Sequence, residues 1–520
     1  MSAFQDARSI AHGTVITTDV CVIGAGAAGI TIARALSGSR VQVCLIESGG
    51  LELEAETQAL AGGDRVGQAY VALESTRLRS FGGTTNHWAG WCAPLNALDF
   101  EYRDWVPASG WPITLAELTP YYERAQETNE LAAFEYDTAS WASPRFPSVE
   151  LGGDIETAVW QFSPPTRYGQ VYGDDLQRST NVHVYLHANV TTLETTADAR
   201  YVEGVELTTL EGTSIRVVAR HFVLACGGIE NARLLLLADN AEPGGLGNRH
   251  DVVGRYFMEH PHVSTASCVF ADARKDLGFY TRRAPRRALE SPALLSRIES
   301  RLRRELPFLP PVVSVRAGLR ITDAAQRREG ILNAVATLRE TAPDDPLTTE
   351  IQRATSRSAR ASEERVSAFD VRLQLEQAPN PDSRVVLGEA RDWLGQRVAR
   401  LDWRLSELDE RTMILATRTL ARALGGSGEG RLRFEDWLLD AASTWRGMYG
   451  GNHHMGTTRM SDDPMRGVVD RDCRVHTVDN LFIAGSSVFP TGGFANPTLT
   501  LTALAHRLGD HLMRITTTGA

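Results

Sequence analysis

The stretch DVCVIGAGAAGITIARAL, from Asp19 to Leu36, constrains the fold of this chain more than any other. Val20 to Ile23 form a short apolar run that reads as a buried parallel strand, and Gly24, Gly26 and Gly29 supply the GxGxxG spacing at the turn into a helix. Gly24 permits the tight turn, Gly26 lets a pyrophosphate approach the backbone, and Gly29 lets the helix pack close on the strand, so phosphate charge meets the helix N-terminus. A second strand, VQVCLIE, ends at Glu47, whose carboxylate can accept hydrogen bonds from an adenosine ribose. No arginine follows Glu47 closely, which favours an unphosphorylated ribose. The motif by itself does not separate FAD from NAD.

Further strand-turn-helix pieces lie far along the chain. RSFGGTTNHWAGW (Arg79 to Trp91) is a second glycine-rich turn, FVLACGGIENARLLL (Phe222 to Leu236) is a strand and helix, and NLFIAGSSVFPTGGFANPTLTLTALAHRLGDHL (Asn480 to Leu512) is a strand, a long turn and a helix. Pieces from both ends and the middle predict one parallel sheet assembled discontinuously, an α/β fold. At 520 residues the chain exceeds the size at which a single core keeps growing, so a second subdomain or a large insertion is expected. A formal net charge of -10 argues against a nucleic-acid surface. The first twenty residues lack a basic and apolar leader pattern, and no apolar run reaches spanning length, so a cytosolic location without a transmembrane segment is the expectation. Six scattered cysteines form neither a disulfide framework nor a CxxCH haem site, and no metal site is expected.

Taken together these motifs resemble the glucose-methanol-choline (GMC) oxidoreductases, FAD enzymes that oxidise alcohols and sugars. The resemblance runs from Asp19 to about Leu512 and includes LEQAPNPDSRVVL (Leu375 to Leu387). GGTTNHW, SGWPITLAELTPYYERA and FANPT are most similar to the pyranose-oxidase-like and bacterial sugar oxidase or dehydrogenase branches. The resemblance implies a Rossmann-like FAD-binding domain from residues 14–104, 183–262 and 448–517, with an inserted α+β substrate-binding domain and cap segments in 105–182 and 263–447.

The family pattern His-x-x-Gly-Thr falls on His453, His454, Met455, Gly456 and Thr457, so the family's active-site base aligns with His453, and its partner on the loop before the last helix falls on Asn496. The chemistry agrees. Oxidising an alcohol removes a hydroxyl proton and a carbon-bound hydride, which calls for a base near flavin N5 with a pKa near operating pH, and histidine is the side chain closest to that. Asn496 can hydrogen-bond the substrate oxygen without competing for the proton. His454 points away from His453 in an extended segment and reads as a packed neighbour.

The resemblance also implies cofactor contacts. His87 matches the position where some members attach the flavin 8α-methyl to a histidine nitrogen; packing on the dimethylbenzene edge is the alternative. Arg79 matches a position near the pyrophosphate, or is a surface cation. Val190, read as ending a strand, resembles the residue whose backbone meets the adenine. Gly83, Gly485, Pro497 and Thr498 complete the expected cofactor set. The arginine-rich segments Ala273 to Glu305 and Thr355 to Phe369 read as solvated helices and, with YVALESTRLRS (Tyr70 to Ser80), as candidate covers of the substrate cavity. Reduced flavin would pass electrons to oxygen or a quinone-like acceptor. Two other functions fit the same residues: an FAD-containing lyase of the hydroxynitrile-lyase kind, with His453 still the base, and a non-catalytic flavoprotein subunit.

Overall fold

The computed structural model describes residues 3–144, 146–272, 275–281, 284–285, 314–341, 368–439 and 445–518. Most of the arginine-rich segments 273–305 and 355–369 therefore lie outside the described residues.

The GxGxxG strand runs from Thr14 to Ile23, longer than its apolar run, because its polar first half pairs in parallel with Ser214–Leu224 along nearly its whole length. Val20 to Ile23 and Val43 to Ile46 are buried at every position, as the unbroken hydrophobic runs of a covered parallel sheet require. The eight-stranded sheet has the order Phe4–Asp6, Val182–Leu186, Val43–Ile46, Thr14–Ile23, Ser214–Leu224, Val202–Thr208, Asn189–Thr195, with Leu481–Ile483 also pairing Ser214–Leu224. It is not wholly parallel: Val202–Thr208 pairs antiparallel with both of its neighbours. Val190 correspondingly opens the strand Asn189–Thr195 rather than ending one, because the preceding strand stops at Leu186 and His187 turns the chain with φ +56°.

Helix Ala27–Leu36 is buried between this sheet and the C-terminal helix Thr498–Thr518. The two helices meet at Gly509, where a Cβ would lie 2.7 Å from that of Ala35. A nine-stranded sheet forms the second layer system, with the central order Pro261–Phe270, Ala368–Leu375, Ala334–Glu340, Ser314–Ile321, Ile155–Phe162, and helix Glu407–Gly426 packed on it. No helix of the described residues is long and apolar enough to cross a membrane.

Just beyond the strand Ala368–Leu375, Arg103 and Glu376 form a fully buried two-pronged ion pair, at 2.9 and 2.6 Å, and Glu376 also accepts from the backbone of Asn333 at 3.0 Å. Removing one partner strands a buried charge, which costs about 3–5 kcal/mol. Arg103→Ala should therefore lower the urea midpoint of the folded chain by far more than Arg327→Ala, whose partner Glu101 is exposed; equal losses would contradict the assignment.

Candidate active site

A cavity of about 1190 Å³ lies between the two sheets. One end is the GxGxxG turn. Gly24 has φ +102°, and a Cβ there would lie 2.7 Å from the Ala225 carbonyl oxygen. At Gly29 it would lie 1.9 Å from the Gly24 carbonyl oxygen, so this glycine sets the approach of the helix and does not line the cavity. Gly26 is the opposite case: no protein atom lies within 4 Å of its would-be Cβ, which would project into the cavity. Glu47 is buried on the same wall. Its Oε2 accepts from the Ala25 N–H and its Oε1 from the Gly49 N–H, both at 3.0 Å. Burial raises its pKa, against which these N–H donors pull. The carboxylate thus braces the turn as well as facing the cavity.

Arg79, Gly83, His87 and Val190 line the cavity, as do Gly485, Pro497 and Thr498. Arg79 is not a surface cation: its Nη2 donates to Glu230 at 3.0 Å, a carboxylate that also pairs with Arg77 and Arg233. Those arginines hold Glu230 ionised despite its burial. His87 is exposed directly after the short helical turn Gly83–Asn86, and desolvation at the cavity wall, then Arg167, lowers its pKa, so the ring is neutral at pH 7. Tyr70 and its neighbours reach the same cavity wall through Val71, Ser75 and Thr76.

The far end is built by two chain segments nearly two hundred residues apart. Met258 bridges Met455, and Pro261–His262 pairs antiparallel with Tyr449–Gly450. Met258 to His262 is five residues and Tyr449 to Met455 is seven, so the second segment bulges by two. Asn452 absorbs the bulge with φ +60°. His453 and His454 stand on this bulge and leave it in different directions. His453 Nε2 lies 3.0 Å from Asn496 Nδ2, and its Nδ1 lies 2.8 Å from His260 Nδ1. His454 Nε2 instead meets the Tyr70 hydroxyl at 2.9 Å.

Glu259 joins the two halves. Both of its carboxylate oxygens accept from the backbone N–H of His453 at 3.0 Å, Oε2 accepts from the His260 N–H at 3.0 Å, and the Tyr70 hydroxyl donates to Oε1. Burial pushes its pKa up to about 7. Burial also pushes the imidazoles down, His260 to about 4, His454 to about 3, and His453 well below its ordinary 6.5, with the neighbouring histidines adding to the last. All three rings are neutral at pH 7, and a neutral imidazole facing a cavity can accept a proton.

Glu259 and His260 escaped the sequence reading, as did the contacts of Tyr70 with Glu259 and His454, although the segment Tyr70 to Ser80 was expected at the cavity. FMEHPHV carries two histidines and a glutamate, but nothing local links it to residues 453 and 496.

Comparison with known proteins agrees with this geometry. A family model described as FAD dependent oxidoreductase matches residues 19–331, and one described as GMC oxidoreductase matches residues 379–505. The chain is 26% identical over 550 residues to 6'''-hydroxyparomomycin C oxidase of Streptomyces lividus, covering 94% of this chain and 90% of that one. It is 25% identical to paromamine 6'-oxidase of Streptomyces fradiae, covering 94% and 90%. It is 27% identical to the fructose dehydrogenase large subunit of Gluconobacter japonicus over 66% of this chain, a match that spans only 56% of that subunit. Among solved structures, formate oxidase of Aspergillus oryzae superposes over 98% of this chain and 100% of that one, with TM-score 0.58 and 16% identity. Pyridoxine 4-oxidase of Mesorbium loti covers 95% and 99%, with TM-score 0.55 and 18% identity; these two show the fold. The cavity fits FAD, since Gly26, Gly227 and Gly485 all present would-be Cβ positions with no protein atom within 4 Å, two of them at helix N-termini. The chain belongs to the FAD-dependent oxidoreductases and, within them, to the GMC family.

Proposed function

We propose that this enzyme oxidises a sugar, glycoside or other secondary alcohol to a carbonyl, with His453 taking the hydroxyl proton and Asn496 holding the oxygen. The observation that carries the reading is the 3.0 Å contact of Asn496 Nδ2 with His453 Nε2 on the wall of the cavity that begins at the GxGxxG turn. The sugar and glycoside part of this class is supported by relatives named for oxidising paromamine, fructose and a C-glycoside, and the relative named for 2-methyl-1,2-propanediol, whose only oxidisable hydroxyl is primary, supports alcohol oxidation more broadly.

Bound FAD supplies a two-electron acceptor for the carbon-bound hydride. Gly26 would give its pyrophosphate an approach to the backbone beside the tight turn at Gly24, and Glu47 and Val190 would hold its ribose and adenine. Arg79, Gly83, Gly485, Pro497 and Thr498 complete the cradle. At the other end the substrate oxygen replaces the direct His453–Asn496 contact: Asn496 donates to it, and its O–H donates to His453. His454 meets the Tyr70 hydroxyl, which donates to Glu259, the carboxylate that grips the His453 backbone. His87, neutral and facing the cavity, would be the nucleophile for a covalent link to the flavin 8α-methyl, the new C–N bond replacing a C–H bond whose electron pair would pass to the flavin ring and on to the electron acceptor. Six free cysteines, five of them buried, accord with a cytosolic location, and oxygen or a quinone is the electron acceptor.

Anaerobic mixing with D-fructose, paromamine, 2-methyl-1,2-propanediol and a C-glycoside should bleach the flavin absorbance with at least one of them; no bleaching across such a panel would overturn the reading. His453→Ala should slow that reduction by roughly 100-fold or more, and His454→Ala by far less, whereas equal losses would reverse the assignment. The rate should fall in a small step near pH 7, as protonation of Glu259 removes a negative charge beside the base, and be lost only well below pH 6.5, where His453 itself protonates. Glu259→Gln should abolish the first step alone; a single limb at 6.5 would show that burial does not depress His453. Acid-denatured protein should retain flavin, and His87→Ala should release it; release from the wild type would remove the covalent link. Gly26→Val should expel FAD from a chain that still folds, whereas Gly29→Val should disrupt folding, as read by flavin content and circular dichroism.

A further inference from the structure

We propose that His260 and Gln374 are positioning residues that fix the tautomer of His453, with its proton on Nδ1 and its lone pair on Nε2, through a hydrogen-bonded chain closed at both ends by the carbonyls of Gly493 and Phe494. The inference deepens the assignment of His453 as base and rests on it.

A carbonyl oxygen can only accept, so the chain can be read inward from either end. At one end the Gly493 carbonyl lies 2.9 Å from His260 Nε2, which must therefore carry a proton. His260 is fully buried and neutral, so its Nδ1 holds the lone pair. That nitrogen is 2.8 Å from His453 Nδ1, so His453 Nδ1 is the donor and its Nε2 is left with the lone pair. At the other end the Phe494 carbonyl lies 2.6 Å from Gln374 Nε2, which orients the buried Gln374 amide with its nitrogen inward. The same NH₂ group reaches Asn496 Oδ1 at 3.4 Å, which turns Asn496 Nδ2 towards His453 Nε2. Nε2 must then accept. Two independent readings from consecutive carbonyls give the same tautomer.

The opposite tautomer would set the Nε2–H of His453 against the Asn496 NH₂, donor against donor, and Nδ1 against the lone pair of His260. In the proposed one, an alcohol entering between Asn496 and His453 finds one donor for its oxygen and one lone pair for its proton. On transfer the substrate O–H bond breaks and an N–H bond forms at Nε2. The Nδ1–H···Nδ1 hydrogen bond to His260 keeps its direction and stabilises the charged ring. His260 cannot pass its own proton to a carbonyl, so the charge stays within the pair.

The anchor is rigid. Gly493 has φ +56°, a Cβ there would lie 2.6 Å from Asp99 Oδ2, and Glu376, held by Arg103, accepts its backbone N–H.

The test is long-range proton–nitrogen NMR of holoenzyme labelled with ¹⁵N-histidine, the His453 signals being those lost in His453→Ala. Wild type should show His453 protonated on Nδ1 and His260 on Nε2. His260→Leu should release the His453 tautomer and slow flavin reduction by about 100-fold with little change in KM, using whichever probe of the panel bleaches the wild type. His260→Gln, whose amide oxygen can accept from Nδ1–H, should recover much of that loss. Gln374→Glu, which cannot donate to the Phe494 carbonyl as a carboxylate, should loosen the tautomer from the other end. His453 protonated on Nε2 in the wild type overturns the proposal, as does a His260→Gln enzyme no better than His260→Leu. The wild-type spectrum decides even if a variant fails to fold. If it shows the expected tautomers while no probe reduces the flavin, the tautomer assignment is upheld and the substrate reading fails.

Discussion

Two short backbone pairings, Met258 with Met455 and Pro261–His262 with Tyr449–Gly450, hold the site together. They lie where the strand Pro261–Phe270 leaves the nine-stranded sheet and where the chain returns towards the strand Leu481–Ile483 of the other. Because five residues face seven, the second segment must bulge, and the bulge is what lifts His453 and His454 out of regular pairing. Glu259 then clamps the bulge by taking the His453 N–H, so His453 is positioned by its backbone as well as by its ring.

Burial sets the electrostatics. Four imidazoles cluster here, His260, His262, His453 and His454, and burial holds each of them neutral at pH 7. A neutral cluster offers lone pairs without accumulating charge, and only Glu259 of these groups is pushed towards neutrality from below. The cost of keeping such a polar group of residues inside the protein is offset by hydrogen bonds to Gly493, Asn496 and Tyr70 and by the Arg103–Glu376 pair behind the Gly493 turn.

The features legible in the sequence were those that local chemistry dictates. The glycine spacing at Gly24, Gly26 and Gly29 announced a tight strand-to-helix turn because each glycine answers a separate steric demand, and the contact of His453 with Asn496 was foreshadowed by a family motif. The register around Val190 was misread because only the backbone shows that His187 breaks the strand. The contacts of His260, Glu259, Tyr70 and Gln374 were invisible for a different reason. Each acts across a separation of more than a hundred residues, and a histidine beside a proline in FMEHPHV carries no mark of the imidazole it will meet. Long-range hydrogen-bond direction is a property of the assembled site.

The most direct measurement is a crystal structure of the holoenzyme with a bound alcohol. The reacting hydroxyl oxygen is expected within hydrogen-bond distance, about 2.6–3.2 Å, of both His453 Nε2 and Asn496 Nδ2. A hydroxyl seated instead against His454, or one held away from His453 by an intact His453–Asn496 contact, would contradict the assignment of His453 as the base.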